Sequence, residues 1–300
     1  MTPGGRIAAA IEILDAIIAP PPGQGALADH ALRDWGRRHR FAGAGDRRAI
    51  ADLVYDGLRR RRSLGWRLGE SGRGVMLALA AECGALEPFS GEGHAPPRPT
   101  DDERAALARA GPPDAAVALD CPAWLETRLR ADLGAAFVPV MLALQHRAPL
   151  HLRVNRLKAD RTSAIHALAQ DHITAVPLAE DPDALAVDDG ARLLRRSAAF
   201  ASGLVEIQDL SSQRVARLAR AAPGETLLDY CAGGGGKALA LAAHQGGAYQ
   251  GGAARGEAGR IFAHDAAPAR MGDLPKRAER AGARIVLCPP AALPQSCDCV

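Results

Sequence analysis

Residues 226–241, TLLDYCAGGGGKALAL, gather the side chains and backbone of this 300-residue chain with the most obvious chemical use. A short apolar run, Leu227 and Leu228, ends at Asp229. Gly233, Gly234, Gly235 and Gly236 follow, and Lys237 opens an alanine- and leucine-rich stretch of good helix propensity. The pattern predicts strand, glycine turn, helix. Glycines at such a turn permit positive φ and close approach of a ligand to the backbone, while the first N–H groups of the new helix lack partners within it. The turn is suited to holding a polar or charged small molecule.

Spacing narrows the ligand. A phosphate-cradling P-loop needs glycine where Cys231 stands and Ser or Thr where Ala238 stands, so that reading fails. Gly233, Gly235 and Ala238 satisfy the dinucleotide pattern G-x-G-x-x-G/A only loosely, which leaves a nicotinamide-dependent oxidoreductase open as an alternative. A second apolar run, residues 260–265, ends in His264 and Asp265. An acid at the tip of the second strand of a Rossmann-like sheet can accept hydrogen bonds from both ribose hydroxyls of a nucleoside. Between turn and acid lies a Gly/Ala-rich insert, residues 244–259, which reads as a mobile surface loop. A basic helical stretch, residues 268–281, and a third apolar run, residues 285–287, complete a βαβαβ order.

The elements upstream divide in two. Ile7, Ile11, Leu14, Ile17 and Ile18 share one helical face, ended by residues 20–23; Ile50, Leu53, Val54 and Leu58 share another. From Arg33 to Arg67 there are eleven arginines against four aspartates, in a chain whose formal net charge is only +3. Such concentration suits a surface that neutralises phosphates, and the run Arg59, Arg60, Arg61 and Arg62 is its densest part. A solvated arginine-rich face is the plainer alternative. Alanine-rich helical segments broken by prolines fill residues 71–120, and Trp124 reads as core or interface filler. Residues 150–155, LHLRVN, alternate like a strand; residues 163–170 read as a helix and 173–178 as a returning strand. Arg153 and Asn155 could contact RNA or order a domain junction. Asp209 reads as the cap of a helix whose inward face is Val215, Leu218 and Ala222.

CAGGGGK at residues 231–237 resembles the cofactor motif of the Sun/Nop family of RNA cytosine-5 methyltransferases, which usually reads Cys-Ala, a small residue, Pro-Gly-Gly-Lys. The flanks agree: Ile207, Gln208 and Asp209 with Ser211 and Ser212, the Leu152-Arg153-Val154-Asn155 strand, and His264-Asp265 through Arg270. Within the family, the likeness is greatest to the bacterial branch that acts on 16S ribosomal RNA and begins with an antiterminator-like helical domain. The resemblance implies a multi-domain protein: an all-α RNA-binding domain over 1–145, a small α/β linker domain over 146–205, and the N-terminal part of a Rossmann-like methyltransferase domain over 206–300. It implies S-adenosylmethionine as cofactor, held by Cys231, Ala232, Gly233, Gly234, Gly235, Gly236, Lys237 and Asp265. RNA, ribosomal in kind, would be the partner, contacted by Arg59, Arg60, Arg61, Arg62 and Arg153.

Two departures stand out. The family's proline is Gly234 here, and the acid it places after the third strand is missing from Leu287-Cys288-Pro289-Pro290-Ala291. Asp298-Cys299-Val300 reads as the start of a fourth strand. The resemblance puts the two catalytic cysteines in later motifs, expected beyond Val300, so no catalytic residue is assigned within the chain, and an RNA-binding protein without catalysis stays open as a further reading. Six scattered cysteines and nine histidines without ligand spacing call for neither disulfides nor metal. No apolar run approaches the roughly 18 residues of a membrane span, so a cytoplasmic protein is expected; a monomer is expected separately.

Overall fold

The structure, a computed structural model, describes residues 1–19, 27–109, 111, 113–246 and 259–300. The prolines that end the first predicted helix and most of the 244–259 insert lie outside the described residues. The chain divides into two compact units, Met1–Ala148 and Pro149–Val300.

The first unit is all helical among its described residues: α1 (Pro3–Ile18), α2 (Ala28–Arg38), α3 (Ala44–Arg59), α4 (Arg61–Gly65), α5 (Gly72–Glu82), α6 (Asp101–Ala108), α7 (Ala115–Ala118), α8 (Ala123–Leu133) and α9 (Phe137–Leu144). Side-chain oxygens start several of them. Thr2 accepts from the N–H of Gly5, Ser71 from Gly74, and Thr100 with Glu103 forms a capping box at α6. The predicted apolar faces of α1 and α3 meet α5 in one core, where Ile13, Leu14, Ile50, Val54, Val75, Met76 and Leu77 are essentially sealed from water. Gly57 sets the approach of α3, since a Cβ there would come within 2.9 Å of Met76 and 3.0 Å of Val75. Trp124 departs from expectation. It is 83% exposed near the start of α8, a helix with no buried residue, so it fills no core.

The second unit begins with an antiparallel sheet. Its strands are β1 (Leu150–Val154), β2 (Thr174–Pro177), β3 (Ala184–Asp189) and β4 (Val205–Ile207), in the spatial order β2-β3-β1-β4. Helices α10 (Arg161–Gln170) and α11 (Ala198–Ala201) belong to this layer, whose core includes Leu152, Val154, Ala164, Leu168, Leu185 and Val205. Helix α12 (Leu210–Leu218) follows directly from β4, with Asp209 capping it at Ser211.

The predicted inward face of α12 is not the one observed. Val215 and Leu218 are 54% and 76% exposed, and the residues turned in are Gln213 and Ala216. Polar bonding decides the orientation. The Gln213 amide donates to the carbonyls of Leu152 and Gln208, and Arg217 grips Asp181 and Asp183. These bonds satisfy buried groups that apolar side chains would leave unpaired.

A parallel sheet then forms from β5 (Thr226–Asp229), β6 (Arg260–Ala263) and β7 (Ile285–Leu287), in that order, with α13 (Gly236–Gln245) and α14 (Leu274–Ala281) between successive strands. This is the βαβαβ order expected. Cys299 bridges Leu227 in parallel, on the edge of β5 that β6 leaves free, and so occupies the fourth-strand position. Because β5 and β6 are parallel and paired from Thr226↔Arg260 to Asp229↔Ala263, the residues after both strands emerge at one end of the sheet. The boundary expected near residue 205 falls inside this second compact unit.

Candidate functional site

The glycine turn and the acid of the next strand meet. The N–H of Gly233 donates to Oδ2 of Asp265 at 3.0 Å, while Oδ1 of Asp265 accepts from the N–H of Ala267 at 2.9 Å. Backbone bonds zip the two segments together: His264 N–H to the Asp229 carbonyl at 2.9 Å, and Ala232 N–H to the His264 carbonyl at 2.8 Å. Asp265 is only 3% exposed. The bond from Ala267, helped by that from Gly233 and by the Arg270 guanidinium 3.4 Å away, holds its carboxyl below the usual range against the opposing effect of burial. Each carboxylate oxygen takes one backbone N–H; Oδ2 also faces Arg270, and Oδ1 keeps a lone pair for a ligand hydroxyl.

Two of the four glycines are required by conformation. Gly233 has φ +50° and Gly235 φ +78°, and a Cβ on Gly235 would sit 2.1 Å from Cδ1 of the fully buried Leu274. Among the described residues, the N–H groups of Gly234, Gly236 and Lys237 have no hydrogen-bond partner. They are the free donors expected where a helix starts from a glycine turn. Ala232 is buried, whereas Cys231 and the Lys237 side chain are exposed beside the turn.

Sequence reasoning did not assign the groups that brace this turn. Oδ2 of Asp229, at the end of β5, accepts from the N–H of Ala238 at 3.1 Å; burial raises its pKa, with the Lys237 charge opposing. Gln208 donates to the Gly236 carbonyl at 3.1 Å, and Arg277 donates to the carbonyl of Gly234 while bonding buried Glu206 at 3.0 Å. An acid closing an apolar strand before a glycine run was a usable signal for Asp229. Nothing local marked Arg277 or Glu206, which are 71 positions apart.

Arg153 and Asn155, each open to an RNA contact or to ordering a junction, are both buried. Arg153 is 2% exposed, and its Nε donates to Gln208 at 2.6 Å. Burial lowers its pKa to about 10, which leaves it a buried cation bracing the Gln208 link to the turn rather than a surface contact. Asn155 likewise serves a junction, donating to the carbonyls of Gly203 and Ala281 at 2.8 Å each. In the first unit Arg59 pairs with Asp56, Arg60 with Glu82 at 2.7 Å and Arg61 with Glu70 at 2.7 Å. The backbone N–H of Arg62 bonds Asp120 at 2.9 Å. Carboxylates thus answer three of the four charges in this run, and the Arg62 guanidinium has no carboxylate partner among the described residues. Arg33, Arg40 and Arg48 are exposed and have no carboxylate partner among the described residues.

Residues 121–193 match the family model of the RsmF/B-like methyltransferase ferredoxin-like domain. The chain resembles the Sun family of ribosomal RNA methyltransferases. Ribosomal RNA small subunit methyltransferase B of Xylella fastidiosa (strain 9a5c) is 41% identical over 120 residues, which cover 40% of this chain and 28% of that protein. The probable ribosomal RNA small subunit methyltransferase B of Synechocystis sp. is 30% identical over 162 residues, covering 54% of this chain and 34% of that one. The matched part thus spans about a third or less of these curated relatives. Among solved structures, PH0851 superposes with a TM-score of 0.62 at 20% identity, over 96% of this chain and 69% of its own. A methyltransferase homolog protein from Pyrococcus horikoshii gives 0.50 at 21% identity, over 58% and 54%. These two likenesses concern the fold alone. No helix among the described residues is long and apolar enough to cross a membrane, and no cluster of His, Cys, Asp or Glu there could hold a metal ion.

Proposed function

We propose that this chain is the antiterminator-like helical domain, ferredoxin-like linker and Rossmann-like cofactor-binding part of an S-adenosylmethionine-dependent enzyme that methylates C5 of cytosine in ribosomal RNA. The observation that carries the reading is the 3.0 Å bond from Gly233 to Asp265, which brings an adenosyl-recognising carboxylate against a glycine turn. The residues present fit the cofactor: a buried carboxylate with a spare lone pair faces the turn, and three N–H groups there lack partners. Asp265 would accept hydrogen bonds from the ribose hydroxyls. Gly233, Gly234, Gly235 and Gly236 would give close backbone approach, and the exposed Lys237 ammonium would stand near the methionyl carboxylate. Cys231 and Ala232 would contribute backbone and shape.

When bound, S-adenosylmethionine supplies an electrophilic sulfonium methyl. Cytosine C5 becomes nucleophilic enough to accept it only after a thiolate adds to C6 of an unstacked base. No cysteine of this chain is assigned that role: Cys288 is buried, with burial pushing its thiol pKa up, and Cys231 belongs to the cofactor turn.

Isothermal titration with S-adenosylmethionine and, separately, NAD tests the assignment. Saturable binding of the first and none of the second is expected. A preference for NAD would replace the methyl-transfer reading with the oxidoreductase alternative.

A further inference from the structure

We propose that the groove bounded by β4, α11, α14 and the turn Ala191–Arg196 is a phosphodiester-binding subsite for the RNA backbone, a proposal that rests on the RNA reading above. The groove has a volume of about 440 Å³ and is lined by Arg195, Lys276, Arg277 and Arg280 against only Glu206 and Asp273. Four cations face two carboxylates.

The floor is built rather than incidental. Glu206 is 2% exposed and bonds both Arg277, at 3.0 Å, and Arg280, so one buried carboxylate fixes two guanidinium groups. Arg280 also lies 4.2 Å from the centroid of the Phe200 ring, and its buried Nε has no partner. A donor left unpaired in a buried position costs free energy unless something else meets it. Arg195 and Lys276 stand exposed at the rim, without carboxylate partners among the described residues. Cations spread over two separate elements around an open groove suit a linear polyanion better than one small carboxylate. Fixed guanidinium forks bind phosphate oxygens in a geometry that ammonium groups do not match.

Position gives the groove its use. Arg277 donates to the Gly234 carbonyl while lining the groove, so the same guanidinium touches the proposed cofactor turn and would touch the RNA backbone. A phosphate seated there would set the approach of the target strand toward the turn.

The test uses the full chain and the double variant Arg195→Glu/Lys276→Glu, both exposed positions, with circular dichroism to verify the fold. Anisotropy titrations of a short fluorescein-labelled single-stranded RNA are run across a salt series, alongside calorimetry with inorganic tripolyphosphate and with S-adenosylmethionine. The expected result is weaker RNA binding by a similar factor for unrelated sequences. The slope of log K against log salt should shrink by about 1.4, two contacts at ~0.7 each on a single strand. S-adenosylmethionine affinity should be retained. An unchanged slope and affinity in the variant, with wild type binding RNA, would overturn the subsite and leave the RNA reading standing. Tripolyphosphate binding that the variant loses, with no RNA binding by wild type, would overturn the RNA assignment of the groove together with the reading beneath it.

Discussion

Replacing Gly235 by Ala and, separately, Gly236 by Ala makes the same chemical change at adjacent positions, yet the structure requires opposite outcomes. Gly235 has φ +78°, where an L-residue costs roughly 1–2 kcal/mol. The added Cβ would also lie 2.1 Å from Cδ1 and 3.0 Å from Cδ2 of Leu274. Leu274 is fully buried among Ala232, Leu239, Ala263, Met271 and Ala278 and has nowhere to retreat, so overpacking adds about 1–3 kcal/mol. The total is about 2–5 kcal/mol of destabilisation. At Gly236 the nearest atom to an added Cβ is the Gln208 amide nitrogen at 3.7 Å, an ordinary contact, and no positive φ is involved. Alanine at that helix position should be neutral or stabilise by up to about 1 kcal/mol. Urea unfolding followed by circular dichroism measures both. Equal stability of the two variants would refute the claim that the turn is held in a left-handed conformation against Leu274.

Three further outcomes follow from the same geometry. Gly234→Pro restores the residue the Sun/Nop motif carries and removes no hydrogen bond among the described residues, but its Cβ would lie 3.0 Å from Nη1 of Arg277, which offsets the gain from the fixed ring; stability should stay within about 1 kcal/mol of wild type, as thermal melts would show. His244 is mostly buried, and burial, reinforced by Arg217 and Arg153, lowers its pKa from 6.5 to about 4. Its neutral form is kept in the folded chain while the unfolded chain binds a proton first, so its contribution is full above pH 6.5 and is lost as the pH falls toward 4, amounting to about 2 kcal/mol by pH 5. Urea midpoints over that window should fall less steeply in His244→Leu, and parallel curves would contradict the assignment. Charge reversal at Arg33, Arg40 and Arg48 should weaken RNA binding more than reversal at Arg60 and Arg61, whose charges are answered by Glu82 and Glu70; the opposite ranking in a filter-binding assay would return the open surface to the latter pair.

What the sequence revealed and what it hid have physical reasons. The turn was legible because strand, four glycines and helix are local signals, and Asp265 because an acid at a strand tip keeps its meaning whatever the length of the insert before it. The sequence left Arg153 open between an RNA contact and a junction role, and its burial favours the second. Leu152 and Val154 mark one face of β1, but the partner covering the other face, Gln208, lies 55 residues away, and no periodicity reports it. The count of eleven arginines against four aspartates overstated the open charge of the run for a similar reason, since Glu70 and Glu82 lie beyond the counted window and pair with Arg61 and Arg60. Helix α12 was turned the wrong way because hydrophobic spacing was allowed to outrank Gln213 and Arg217, whose bonds to buried carbonyls and carboxylates set its orientation.

The central claim is that the glycine turn and Asp265 grip one adenosyl ligand from two sides. Its most direct test is calorimetric titration of S-adenosylmethionine into the wild-type chain and into Asp265→Ala, with each protein's fold verified in parallel. The account predicts a single site in wild type and an affinity loss of at least about tenfold in the variant, the cost of one hydrogen bond to a charged group at ~1.5–3 kcal/mol. Equal affinity in the two folded proteins would contradict it.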